Sequence, residues 1–100
     1  MIVTFTAELW VWHARPAEQW TFVSLPAEES DLLREQTAGR ARGFGSLRVR
    51  ASIGGTTWQT SIFPDKERGV FVLPVKRAVR RAEDLDVDAV ATVTVTVLGL

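Results

Sequence analysis

Phe22-Val23-Ser24-Leu25-Pro26 and Val70-Phe71-Val72-Leu73-Pro74 are one event written twice: a β-rich run that ends in Leu-Pro and gives way to a segment of helical period. Around the first copy, Trp20 to Leu25 reads as a strand and Pro26 to about Gln36 as a helix, since proline suits the first helical position. Around the second, Val70 to Leu73 is a strand and Pro74 to about Ala82 a helix. Val75, Ala78, Val79 and Ala82 form an i, i+3, i+4, i+7 apolar stripe on that helix, which must lie against a sheet.

Outward from these copies the period is two. Val3, Phe5, Ala7, Leu9 and Val11 alternate with Thr4, Thr6, Glu8 and Trp10 over 2–12. Leu47, Val49, Ala51 and Ile53 alternate with Arg48, Arg50 and Ser52 over 46–53, and Val93, Val95 and Val97 with Thr92, Thr94 and Thr96 over 89–98. Each predicts a strand with one buried face. Thr57 to Phe63 supplies a sixth. Gly54-Gly55, free to take positive φ at both positions, predicts a tight hairpin between strands 46–53 and 57–63, and Asp65 to Gly69 a looser one.

The chain thus divides into two ββαβ repeats, about 2–54 and 56–98. Two such units have unpaired edges that they can remove by closing on each other. The expected fold is mostly β: one domain over 1–100, a closed six-stranded antiparallel or mixed barrel with two short helices. A hundred residues allow one core and no second domain, and 46% hydrophobic residues with four Trp and five Phe fill it without staples. With no Cys, disulfides and thiolate metal sites are out of the question. Twelve basic residues balance twelve acidic ones, so no overall field favours nucleic acid or an anionic membrane. Met1-Ile2-Val3-Thr4-Phe5 has no basic leader, and polar or charged residues interrupt every apolar run, so a cytoplasmic monomer without membrane association is expected.

In order, Phe5-Thr6-Ala7-Glu8-Leu9-Trp10, Trp20 to Pro26, Gly43-Phe44-Gly45-Ser46-Leu47-Arg48-Val49, Trp58-Gln59-Thr60-Ser61-Ile62-Phe63-Pro64 and Val72-Leu73-Pro74-Val75-Lys76-Arg77-Ala78-Val79-Arg80 resemble the DUF1905 family. This is a bacterial family of unknown function, sometimes joined to a domain associated with YdeI/OmpD-type bacteriocin protection. The resemblance covers nearly the whole chain. It implies a six-stranded, pseudo-two-fold barrel similar to the double-split barrels of transition-state regulators and antitoxins, and no established activity. One departure is visible: relatives usually carry Gly-Asp after the second helix, where this chain has Val87-Asp88.

The second helix carries Lys76, Arg77, Arg80 and Arg81 in its first two turns, against the sign its dipole favours. One reading is an anion site: helix-start amides, Lys76, Arg77 and Arg80, with Thr60 and Ser61 alongside, holding a phosphate or carboxylate. The other is mutual neutralisation, because Glu28, Glu29 and Asp31 open the first helix and Glu83 and Asp84 close the second. Arg40, Arg42, Arg48 and Arg50 make a second basic cluster, yet interleaved acids argue against a nucleic-acid surface. Trp10, Trp12 and Trp58 are candidates for an aromatic cleft, with packing beneath a helix as the alternative. Ser61 has no base near it in sequence, and the single imidazole, His13, reads as part of the first hairpin loop, so no catalytic triad is supported. Asp84-x-Asp86-x-Asp88 lacks the Gly and Glu of a calcium loop, and the glycines at 39, 43 and 45 lack the Gly-Lys of a phosphate loop. No metal and no cofactor is expected. The function read from the residues is a non-catalytic binding or accessory domain for an anionic small molecule or a protein partner; the alternatives are a ligand-sequestering or enzymatic barrel and, by fold analogy, a nucleic-acid binder.

Overall fold

The computed structural model describes residues 1–15, 18–38 and 45–99. Seven strands, β1 (Ile2–Glu8), β2 (Trp10–Arg15), β3 (Glu18–Ser24), β4 (Leu47–Ile53), β5 (Thr56–Asp65), β6 (Val70–Pro74) and β7 (Val90–Val97), form one antiparallel sheet in the order β1-β7-β4-β5-β6-β3-β2. The sheet curls into a half-barrel, and two short helices, α1 (Ala27–Gln36) and α2 (Arg77–Ala82), complete the fold.

The expected six strands are seven because the run 2–12 turns at Leu9. The Leu9 N–H donates to the Ala89 carbonyl at 2.9 Å, and the Asp88 N–H donates to the Leu9 carbonyl at 3.0 Å. Both backbone groups of Leu9 are thereby held by the turn before β7, and its side chain is fully buried. Ahead of it β1 pairs with β7; beyond it β2 pairs with β3, at the opposite end of the sheet. β5 makes the same handover without breaking, pairing with β4 over Thr56 to Ile62 and with β6 over Phe63 to Asp65.

The inward faces supply the core: Val3 and Phe5 from β1, Val49 and Ala51 from β4, Ile62 from β5, Leu73 from β6 and Val93 and Val95 from β7. The outward face of β1 and β7 is rich in threonines, and Thr4 and Thr94 meet at 3.1 Å across the strands. α1 buries Leu33 and Ser30; the Ser30 hydroxyl accepts the Phe71 N–H at 3.0 Å, which ties the helix to β6.

α2 is shorter at its start than the spacing predicts. Pro74 still pairs with Phe22 in the ladder, and the Val75 N–H donates to the Thr21 carbonyl at 2.9 Å, so the chain stays extended through Lys76. Of the apolar stripe, Val75 and Val79 are buried while Ala78 and Ala82 are exposed. The helix ends with Asp84 at φ +53 and the Leu85 N–H donating back to the Arg80 carbonyl at 2.8 Å, a Schellman-type stop without glycine. In the β4–β5 hairpin only Gly54 has positive φ, +56; Gly55 does not share it. That is the pattern of a turn with a left-handed first central residue, in place of one left-handed at both.

Candidate functional site

The site arises from a strand that stops early. β6 ends at Pro74, which has no N–H to bond toward β5, and after Val75 and Lys76 the chain turns into α2. Its neighbours run on: β3 extends back to Glu18 and β5 back to Thr56. The gap between them is a cleft of about 360 Å³. Gln19, Trp20 and Thr21 form one wall and Trp58, Gln59 and Thr60 the other, while Pro74 and Val75 with Lys76, Arg77 and Arg80 close the base.

Three cations border this cleft and none of its described lining residues is Asp or Glu. Among the described residues the ion pairs are Arg34 with Asp31 and Arg68 with Asp65, so Lys76, Arg77 and Arg80 form no direct ion pair. Glu83 does not serve as their counter-ion: its carboxylate accepts from the Thr56 hydroxyl. On their other side Arg77 and Arg80, with Arg81, line a second hollow of about 210 Å³ together with Asp84 and Asp86. Arg80 is fixed by a bond from its Nε to the Val75 carbonyl at 3.2 Å.

Trp58 adds a neutral donor. The residue is only 7% exposed, and its indole N–H has no hydrogen-bond partner among the described residues. No fully buried side-chain nitrogen or oxygen lacks a partner among those residues, so this N–H is not fully buried, and Trp58 is one of the residues that line the cleft. The cleft surface is largely apolar, from Trp20, Trp58, Pro74 and Val75, and its polar groups include the hydroxyls of Thr21 and Thr60 and the ammonium and guanidinium donors, which complement an anion.

Of the residues singled out from the sequence, Thr60, Lys76, Arg77, Arg80 and Trp58 come together here. Ser61 does not line the cleft; on β5 it stands opposite Arg48 of β4. Trp10 and Trp12 do not join Trp58. Because the chain turns at Leu9, they sit on β2 at the far edge of the sheet, bordering a second cleft of about 350 Å³ with Phe22. There the Arg68 guanidinium lies 3.6 Å from the Trp10 ring centroid, steered by Asp65 at 3.1 Å, so the protein's own side chain covers that ring. The Trp10 indole N–H is also used, donating to the Ser24 hydroxyl at 2.9 Å. His13 lies in β2, opposite Gln19, and not in a loop. Arg48 and Arg50 are exposed on β4; Arg40 and Arg42, with Gly39 and Gly43, lie outside the described residues. Among the described residues no three His, Asp or Glu are grouped to hold a metal ion, and no helix is long and apolar enough to cross a membrane.

No local sequence pattern marks Gln19, Trp20 and Thr21 as part of this site. Their signal is Pro74, which ends β6 while its neighbours continue, but using it requires knowing that β3 and β5 flank β6. No curated protein matches the chain. The family model described as a domain of unknown function, DUF1905, matches residues 5–95 of the 100, and the chain belongs to that family.

Proposed function

We propose that this DUF1905 domain is a non-catalytic binding module that takes up a small anionic molecule in the cleft between β3, β5 and α2. The observation that carries this reading is the convergence of Lys76, Arg77 and Arg80 on a cleft whose described lining has no carboxylate. Cations gathered without direct ion pairs repel one another, and Asp84 and Asp86 lie on the far side of Arg77 and Arg80 from the cleft, so a bound anion lowers that cost from within it. The described lining also has hydroxyls at Thr21 and Thr60 but, among the described residues, no imidazole or carboxylate to take a proton, which favours binding over catalysis.

The test is thermal unfolding in the presence of inorganic phosphate, citrate and uncharged controls. A ligand at about a hundred times its dissociation constant adds about 2.7 kcal/mol to stability. At about 4–8 °C per kcal/mol for a domain of this size, the rise in Tm is on the order of ten degrees or more. It is expected with the anions, absent with the controls, and lost in the Lys76→Ala, Arg77→Ala double variant. No rise with any anion contradicts the reading.

The architecture extends the same way. We infer that the two halves are an internal duplication and that residues 2–15 act as one strand closing a six-stranded barrel. The handover of β5 from β4 to β6, matching that of β1 and β2 from β7 to β3, supports the first inference. The junction of the two edge strands through Leu9 alone supports the second.

A further inference from the structure

Resting on the reading of the cleft as an anion site, we infer that its ligand is the free C-terminus of an extended peptide, held as an added strand between β3 and β5. The walls of the cleft are strand edges, and the hydrogen-bond parity of the sheet turns their backbone groups inward. On β3, the Thr21 carbonyl receives the Val75 N–H, so the backbone groups of Thr21, and of Gln19 two residues away, face the row that β6 occupies. The partner that would receive the Thr21 N–H, the Val75 carbonyl, is engaged by Arg80. On β5, the tight turn makes Ile53 and Thr56 a hydrogen-bonded pair. The alternation brings the next such pair at Ala51 and Trp58, so the backbone of Trp58 bonds toward β4 and that of Gln59 faces the β6 row.

The ladder pairing of β6 ends at Phe22↔Pro74 and Phe63↔Val72, and past Val75, whose N–H the Thr21 carbonyl receives, no strand fills the row between β3 and β5. The two walls are therefore separated by the row of one missing strand, about two strand spacings of roughly 4.7–4.9 Å each. With Val75 opposite Thr21, the open part of each wall is about two residues long, Gln19 and Trp20 facing Trp58 and Gln59, room for about two residues of an inserted strand at roughly 3.3 Å each.

The chemistry discriminates between a peptide and an inorganic anion. A fully ionised phosphate only accepts hydrogen bonds, so it cannot donate to the carbonyls of Gln19 and Gln59. An extended backbone alternates N–H and C=O, and matches both edges. Running parallel to β3 and β5, it brings its terminal carboxylate to the closed end of the cleft, where Lys76 and Arg77 lie, with Trp58 in the same lining. This combines strand addition with capture of a chain terminus.

The experiment uses two pools of acetylated tetrapeptides randomised at their last two positions, one with free C-termini and one C-terminally amidated, with inorganic phosphate as a third probe. The readouts are Tm and the NMR signal of the Trp58 indole N–H, identified by its loss in Trp58→Phe. The free-acid pool is expected to raise Tm and move the indole signal, with at least a roughly tenfold higher concentration of the amide pool needed for the same effect, the equivalent of about 1.4 kcal/mol. The Lys76→Ala, Arg77→Ala double variant, with its unliganded Tm unchanged, is expected to lose the response to the free-acid pool. If phosphate moves the indole signal and neither pool does, the cleft is an anion site and the peptide inference is overturned. If the amide pool acts as well as the free acid, capture of the carboxylate is overturned. If no probe acts, the anion reading itself falls.

Discussion

Arg80 donates from its Nε to the carbonyl of Val75 at 3.2 Å, and this bond separates the structural cation of α2 from the available ones. Val75 is buried, so its carbonyl has no ready access to water in place of the guanidinium. An acceptor left unpaired in such a position costs about 1–3 kcal/mol. Arg80→Ala is accordingly expected to lower unfolding free energy by about 1–2 kcal/mol, because the site is only partly buried. Lys76→Ala and Arg77→Ala, on exposed residues without ion pairs among the described residues, should stay within about 0.5 kcal/mol of the parent. Urea unfolding of the three variants checks the ranking. Equal losses in all three contradict it.

The β4–β5 turn makes a sharper contrast. A Cβ on Gly54 would collide with the Glu83 carboxylate, in a residue already at φ +56, whereas one on Gly55 meets nothing within 4 Å. The left-handed backbone alone costs an L-residue about 1–2 kcal/mol, and displacing the Glu83 carboxylate also strains its bond from Thr56. Gly54→Ala should therefore cost more than about 2 kcal/mol, and Gly55→Ala under about 0.5 kcal/mol. Thermal unfolding of the pair measures the difference.

Asp84 ends α2 at φ +53, where glycine is the usual residue. Relief of the left-handed penalty, about 1–2 kcal/mol, outweighs the extra chain entropy of glycine, about 0.5–1 kcal/mol. Asp84→Gly should stabilise the protein by about 0.5 kcal/mol, a rise of roughly 2–4 °C in Tm. A fall in Tm would mean that the Asp84 carboxylate contributes more than its backbone costs.

Leu9 joins the two edge strands and is fully buried. Leu9→Ala is expected to cost about 2–5 kcal/mol, in the range for buried leucines, measured by equilibrium denaturation. A loss below about 1 kcal/mol would show that the turn between β1 and β2 does not hold the curled sheet together.

The turn at Leu9 is invisible in the sequence for a physical reason. Val3, Phe5, Leu9 and Val11 keep one alternation through it, so the hydrophobic period of β1 passes unbroken into β2. The duplicated Leu-Pro strand ends, by contrast, are legible because each marks a change of period from two to about 3.6. The basic half of the site is also legible, since Lys76, Arg77 and Arg80 lie close in sequence. Gln19 to Thr21 reach the same cleft only through the order β5-β6-β3, which no local pattern encodes. The Gly54-Gly55 pair announces its hairpin, but the pair alone does not say that only Gly54 adopts the left-handed conformation.

Amide and indole chemical-shift mapping during a phosphate titration tests the central claim most directly. Saturable shifts are expected at Gln19 to Thr21, at Trp58 to Thr60 with the Trp58 indole N–H, and at Lys76 to Arg80, while Trp10, Trp12 and Arg68 at the second cleft stay in place. Shifts that are absent, that fail to saturate, or that centre on the second cleft would contradict an anion site between β3, β5 and α2.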